Sequence, residues 1–136
     1  MKNCSTDVLI VGAGPTGLFL SNLLASHDIK NILIEKNSST VKEPRAVSID
    51  DESLRVIQSL GLINKFINKI SLDCGSYYFS PNGRIFATIN PSSKLYGFHK
   101  RNSFDQPDLE DLLLKNLLVK YKLNVFFDTK FLNFYQ

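Results

Sequence analysis

The stretch DVLIVGAGPTGLFL, Asp7 to Leu20, constrains the fold of this chain more than any other. An apolar run from Asp7 to Val11 stops at Gly12, and Gly14 and Gly17 complete a GxGxxG spacing. The run is short, rich in β-branched residues and closed by glycine, which predicts a strand buried on both faces of a parallel sheet. From Pro15 to Ser26, Leu18, Phe19, Leu23, Leu24 and Ala25 recur at helical spacing. Pro15 suits a first helical turn, where its missing N–H would have had no partner. Asn31 to Glu35, NILIE, reads as a second apolar strand that ends on an acid. Strand, helix and strand within this span form a βαβ unit with a right-handed crossover.

In that setting each glycine has a physical use. The first permits the tight turn, the second lets backbone approach a pyrophosphate, and the third brings the helix close to the strand. The helix N-terminus then points unpaired N–H groups and a partial positive charge at the phosphates. Glu35, at the end of the second strand, lies in the range where a carboxylate holds ribose hydroxyls. A lone GxGxxG is often only a tight turn; here the flanking strand, helix, second strand and acid together point to a dinucleotide site. NAD and FAD both use such a unit, so the motif by itself leaves the dinucleotide open.

The rest of the chain reads as one α/β domain. Lys36 to Val47 is a polar loop with a proline. Ser48 and Asp51 form a capping-box-like start to a helix holding Leu54, Ile57 and Leu60, with Gly61 as its stop. A second short helix, Leu62 to Ile70, turns Ile63, Phe66, Ile67 and Ile70 inward. YYFSPNGRIFATI predicts a β-hairpin around Pro81-Asn82-Gly83, a type I turn closed by a left-handed glycine. Pro107 opens a helix to about Tyr121 that buries Leu109, Leu112, Leu113, Leu117 and Leu118. NVFF and KFLNFY follow as strands.

Composition narrows the function classes. With 136 residues, 43% of them hydrophobic, the chain suffices for one folded unit. Its net charge is +3, but the lysines are scattered among acids, which gives a nucleic-acid surface little support. Cys4 and Cys74 stand far apart without a histidine cluster, so neither a disulfide framework nor a zinc site is expected. No leader of signal-peptide form and no membrane-spanning run is present, which predicts a cytoplasmic location. Asp50, Asp51 and Glu52 read as first-turn acids favoured by a helix dipole rather than as a metal site. His27 and His99 read as ordinary structural histidines.

Three separated blocks carry a family resemblance: VLIVGAGPTGLFLSNLLASHDIKNILIEK, EPRAVSIDDESLRVIQSLGL and RNSFDQPDLEDLLL. Together they resemble the N-terminal part of the FAD-dependent aromatic hydroxylases, most closely those of the 3-(3-hydroxyphenyl)propionate hydroxylase type. The resemblance spans essentially the whole chain. It implies a Rossmann-type FAD-binding domain with a parallel sheet, here incomplete over residues 1–136. The hairpin at about 75–89, with Tyr77, Tyr78 and Phe79, would then belong to a substrate-side sheet. The parent enzymes use FAD, NAD(P)H and O2 to hydroxylate a small aromatic ring.

By the same resemblance, Gly12, Ala13, Gly14, Pro15, Thr16 and Gly17 surround the FAD pyrophosphate, and Glu35 binds the adenosine ribose. Lys36 lies along that ribose, and Arg45 lies along the flavin nucleotide. Gln106 reaches the ribityl chain, and the backbone of Phe131 meets the adenine. No residue is assigned a catalytic role. Family members are several times longer and carry later Asp-Gly and Gly-Asp motifs that this sequence lacks. The chain is therefore expected to be an N-terminal fragment, with the missing C-terminal portion as a partner. The runner-up is a dinucleotide-binding module or remnant without catalysis.

Overall fold

A computed structural model describes residues 5–135 of the chain, so Cys4 lies outside the described residues. The chain divides into two compact units. The first combines the residues up to Pro44 with those from Gln106 onward, and the second runs from Arg45 to Asp105.

The first unit is built on three parallel strands in the order β1 (Val8–Val11), β2 (Asn31–Ile34) and β7 (Val125–Phe126). Helix α1 (Pro15–Ser26) is the crossover from β1 to β2, as the apolar spacing predicts. It packs on the sheet face that carries Ile10, Asn31 and Leu33, and α4 (Gln106–Val119) lies beside it. Residues on that face are buried because the crossover helix necessarily returns over it.

Several expectations about this unit are corrected. Residues of β1 and β7 that alternate to the opposite face, Leu9, Val11 and Phe126, are exposed, so β1 is buried on one face and not on both. Along α1 the fully buried side chains are Leu18, Ser21 and Asn22, while Phe19, Leu23, Leu24 and Ala25 are half-buried. Ser21 Oγ donates to Asn31 Oδ1 at 2.6 Å, and Asn22 Nδ2 donates to the Leu113 carbonyl at 3.1 Å. Asn22 Oδ1 accepts from Asn116 Nδ2 at 2.8 Å. Hydrogen bonding, not hydropathy, therefore selects the inner face of α1. On α4, Leu109, Leu113 and Leu117 are buried as expected, but Leu112 is half-buried and Leu118 is exposed; Gln106 and Glu110 are buried instead. KFLNFY forms no strand, since no described neighbour pairs with it and a strand is held by its ladder.

The second unit holds β3 (Ser48–Asp50), paired antiparallel with β6 (Arg101–Ser103). Between them lie α2 (Asp51–Ser59), α3 (Ile63–Phe66) with a following 3-10 turn, Ile67–Lys69, and the hairpin of β4 (Ser76–Phe79) and β5 (Ile85–Ile89). Ser48 is a strand residue and not the cap of α2. The cap is Asp50, whose side chain accepts from the Ser53 N–H at 2.8 Å. Asp is as strong a cap as Ser, and the strand pairing of Ser48 decides between them. Gly61, at φ +75°, ends α2 as predicted, and Gly83, at φ +79°, closes the hairpin turn with its N–H on the Ser80 carbonyl. Ile49, Leu54, Ile57, Leu60, Leu62 and Phe66 form the core, with Phe104 edge-on to Phe66.

Candidate functional site: the glycine loop and the N-termini of α1 and α4

The loop between β1 and α1 shows why three side chains are absent. Gly12 sits at φ +108°, where only glycine is unstrained, and its N–H donates to the Ile34 carbonyl at 2.8 Å. A Cβ on Gly17 would collide with the Gly12 carbonyl oxygen and press on Ile10 Cγ2, so this glycine lets α1 approach β1. A Cβ on Gly14 would meet nothing within 4 Å. Backbone conformation thus explains Gly12 and packing explains Gly17, but neither accounts for Gly14, which leaves a cradle open at the helix entrance. Gly14 is also the N-cap of α1, with no side-chain hydrogen bond to the first turn and no acid in it. The N–H groups of Thr16 and Gly17 therefore have no acceptor within the helix and face that cradle. Such an end suits an anion, and Pro15 at the first helical position withdraws no useful donor.

Glu35 follows β2 directly and bonds to the same loop. Its Oε2 accepts from the Ala13 N–H at 2.9 Å, and its Oε1 accepts from the Asn37 N–H at 2.9 Å and from Asn37 Nδ2 at 2.8 Å. Partial burial pushes the Glu35 carboxyl up, but the N–H groups of Asn37 and Ala13 and the nearby Lys36 charge outweigh it. The carboxyl is held below its ordinary value and stays ionised. These donors pin the carboxylate against the glycine loop. The Glu35 carbonyl accepts from the Thr129 N–H at 2.8 Å, and the Asn37 carbonyl from the Asp128 N–H at 3.0 Å. The segment after β7 is thereby fastened to the turn after β2.

Helix α4 enters the same end of the unit. Both α1 and α4 connect to parallel strands on the same side, so their N-termini lie at the carboxyl edge of the sheet. The bonds of Asn22 to Leu113 and Asn116 set the two helices in register. About two turns back along each helix stand Gly14 and Gln106. Gln106 is 5% exposed, and its Nε2 donates to Glu110 Oε1 at 2.7 Å.

Among the residues singled out from the sequence, the structure thus gathers Gly12, Ala13, Gly14, Pro15, Thr16, Gly17, Glu35 and Lys36 around one loop. It brings Gln106 to the same edge of the first unit. Phe131 is exposed, just beyond the Thr129 bond to Glu35. Arg45 is exposed and belongs to the second unit. Two contributors escaped sequence reading, Asn37 and Glu110. Asn37 is signalled only by its place two residues after the acid, and Glu110 only by its one-turn spacing from Gln106.

The comparisons with known proteins agree with this geometry. The family described as FAD binding domain matches residues 5–136. The chain belongs to that family. It is 40% identical over 111 residues to a 3-(3-hydroxy-phenyl)propionate/3-hydroxycinnamic acid hydroxylase of Comamonas testosteroni, covering 82% of this chain and 19% of that protein. A hydroxylase of the same name from Escherichia coli (strain SMS-3-5 / SECEC) is 37% identical over 115 residues, covering 85% of this chain and 21% of that protein. This member of the FAD binding domain family thus spans about a fifth of the length of the curated relatives it matches. Among solved structures, the p-nitrophenol 4-monooxygenase of Pseudomonas putida DLL-E4 superposes with a TM-score of 0.77 at 18% identity, covering 94% of this chain and 33% of that one. Aklavinone-11 hydroxylase with FAD and aklavinone gives a TM-score of 0.77 at 22% identity, covering 100% of this chain and 28% of that one. These two structures share the fold of the chain.

Proposed function

We propose that this chain holds the ADP half of FAD within an NAD(P)H-dependent monooxygenase that hydroxylates a small phenolic or aromatic substrate with O2. The observation that carries the proposal is the cradle at Gly14, which no packing in the chain requires and which opens onto the uncapped N-terminus of α1. In this proposal the backbone from Gly12 to Gly17 surrounds the pyrophosphate, and the N–H groups of Thr16 and Gly17 face its oxygens. Glu35 offers its carboxylate to an adenosine ribose hydroxyl, and Lys36 lies along the same sugar. Gln106 contacts the ribityl chain, with Arg45 on the nucleotide and the Phe131 backbone at the adenine. FAD, when bound, supplies the redox chemistry that links NAD(P)H oxidation to oxygen insertion.

No residue of this chain is assigned to the hydroxylation step itself. The hairpin of β4 and β5 is proposed to join a substrate-side sheet, and the remainder of the parent enzyme is the proposed partner. The relatives' name makes a phenylpropionate-like phenol the first substrate to try. A cytoplasmic location, beside the NAD(P)H supply, completes the proposal, and nucleic acid has no place in it.

Purification of the chain followed by flavin absorbance and thermal melts with FAD or NAD tests the proposal. FAD is expected to raise the melting temperature and NAD to leave it unchanged, and the reverse result overturns the assignment. Glu35→Ala is expected to weaken FAD at least several-fold, and an unchanged affinity removes the ribose role.

A further inference from the structure

The amino edge of the first unit, where β1, β2 and β7 begin, carries a cavity of about 400 Å³. That volume is within the range of small-molecule pockets. The cavity lies a strand's length from the glycine loop, which follows the other end of β1. Ile32, Leu123 and Phe126 give it an apolar lining, and Phe126 leaves 41% of its surface exposed there. Lys30, Lys122 and Asn124 line it too, beside Ser5 and Thr6. Among the described residues no aspartate or glutamate lines it, although the chain holds 13 acids against 16 bases. Neither lysine is paired with a carboxylate among those residues.

The backbone beneath both lysines is fixed. The Lys30 carbonyl accepts from the N–H groups of Asp7 and Val8, each at 3.2 Å, and from Thr6 Oγ1 at 3.0 Å. Asn31, the next residue, is buried with its side chain bonded to Ser21 Oγ and the Ile29 carbonyl. Beyond α4, the Leu123 N–H reaches back to the Leu117 carbonyl at 3.1 Å, the six-to-one bond of a Schellman closure. That closure places Lys122 at φ +52°, where glycine is the usual residue. The other described non-glycine residues with positive φ, Asp28, Asp73 and Asp128, have short polar side chains that tolerate it. Lys122 is the exception: its backbone is disfavoured by the side chain, so the ammonium group is what the lysine contributes.

We propose that the cavity at the amino edge binds a small organic carboxylate, with its apolar body against Ile32, Leu123 and Phe126 and its charge toward Lys30 and Lys122. Two unpaired ammonium groups with no acid beside them attract an anion. The apolar lining selects an anion with an apolar body over phosphate, which would have to shed water against it without gaining partners. An aromatic or aliphatic monocarboxylate satisfies both halves of the cavity. This site is separate from the glycine loop, and the proposal does not depend on the chain holding FAD.

The test follows the amide resonances of the full 136-residue chain at low salt as 3-phenylpropionate, 3-phenylpropanol or inorganic phosphate is added. The carboxylate is expected to shift Ile32, Leu123 and Phe126 and to saturate. The neutral alcohol and the phosphate each lack one half of the chemistry and are expected to bind about ten-fold or more weakly. Lys122→Gly suits the backbone, so its melting temperature is expected to stay the same or rise. Its affinity for 3-phenylpropionate is expected to fall about three- to ten-fold, the loss of one charged hydrogen bond, as is that of Lys30→Gln. Unchanged affinity in both variants, or equal binding of the alcohol or of phosphate, overturns the proposal. Shifts confined to the glycine loop place the acid elsewhere and overturn it as well. Should Lys122→Gly not fold, Lys122→Asn, which also accepts a positive φ, takes its place with the same expected loss.

Discussion

The sheet of the first unit and the hairpin of the second are made from the same kinds of residue but bury them differently. Ile10 and Leu33 are buried beneath the helices, whereas Tyr77, Phe79, Ile85 and Phe86 of β4 and β5 are each more than half exposed. The cause lies in connectivity. A βαβ unit contains its own cover, because the crossover helix must return over one face, while a short turn returns a hairpin strand with no third layer. The self-covered face therefore supports the precise placement of Gly14, Glu35 and Gln106, and the hairpin contributes little core of its own.

The comparison can be broken most forcefully at the close contact of α1 with β1. Gly17→Val puts side-chain atoms into the Gly12 carbonyl, and a loss of about 3 kcal/mol or more is expected in denaturant unfolding. Leu113→Ala empties a fully buried position and is expected to cost about 3 kcal/mol, against less than about 1 kcal/mol for Phe86→Ala on the exposed hairpin. Equal losses for this pair would mean that the hairpin carries as much core as the sheet. Asp50→Ala removes the α2 cap and is expected to cost about 1 kcal/mol, read from the same unfolding curves.

Glu35 sharpens the comparison through pH. Its folded pKa lies below the ordinary 4.5, so its stabilisation is complete above that value. It is lost as the pH falls through the depressed folded value, and Glu35→Gln is expected to flatten the stability profile there. The smallest effect on folding is expected for Gly14→Ala, within about 1 kcal/mol, because its Cβ meets nothing. The same substitution is expected to weaken FAD strongly, so Gly14 and Gly17 should separate ligand binding from stability within one loop.

Much of the site was legible in the sequence. Local chemistry specifies the turn at Gly12, the helix from Pro15 and the acid after the second strand, because each depends on residues near in the chain. The helix α1 has the predicted bounds, Pro15–Ser26, for that reason. The inner face of the same helix is not legible in its hydropathy, because Ser21 and Asn22 are buried by partners far along the chain, Asn31, Leu113 and Asn116. Hydropathy cannot register such partners, since a satisfied polar group and an apolar one are both content inside. The strand expected at KFLNFY failed for a related reason, as pairing is a property of a neighbour and not of the segment.

The sequence by itself determined the βαβ unit, the glycine positions and the family, all matters of spacing along the chain. Tertiary structure alone decided that Gly17 serves packing while Gly14 leaves a cradle, that backbone N–H groups hold Glu35 ionised, and that Glu110 accepts a hydrogen bond from Gln106 inside the unit. Those distinctions depend on which groups meet in space, and a carboxylate or an absent Cβ acquires meaning only once its surroundings are in place.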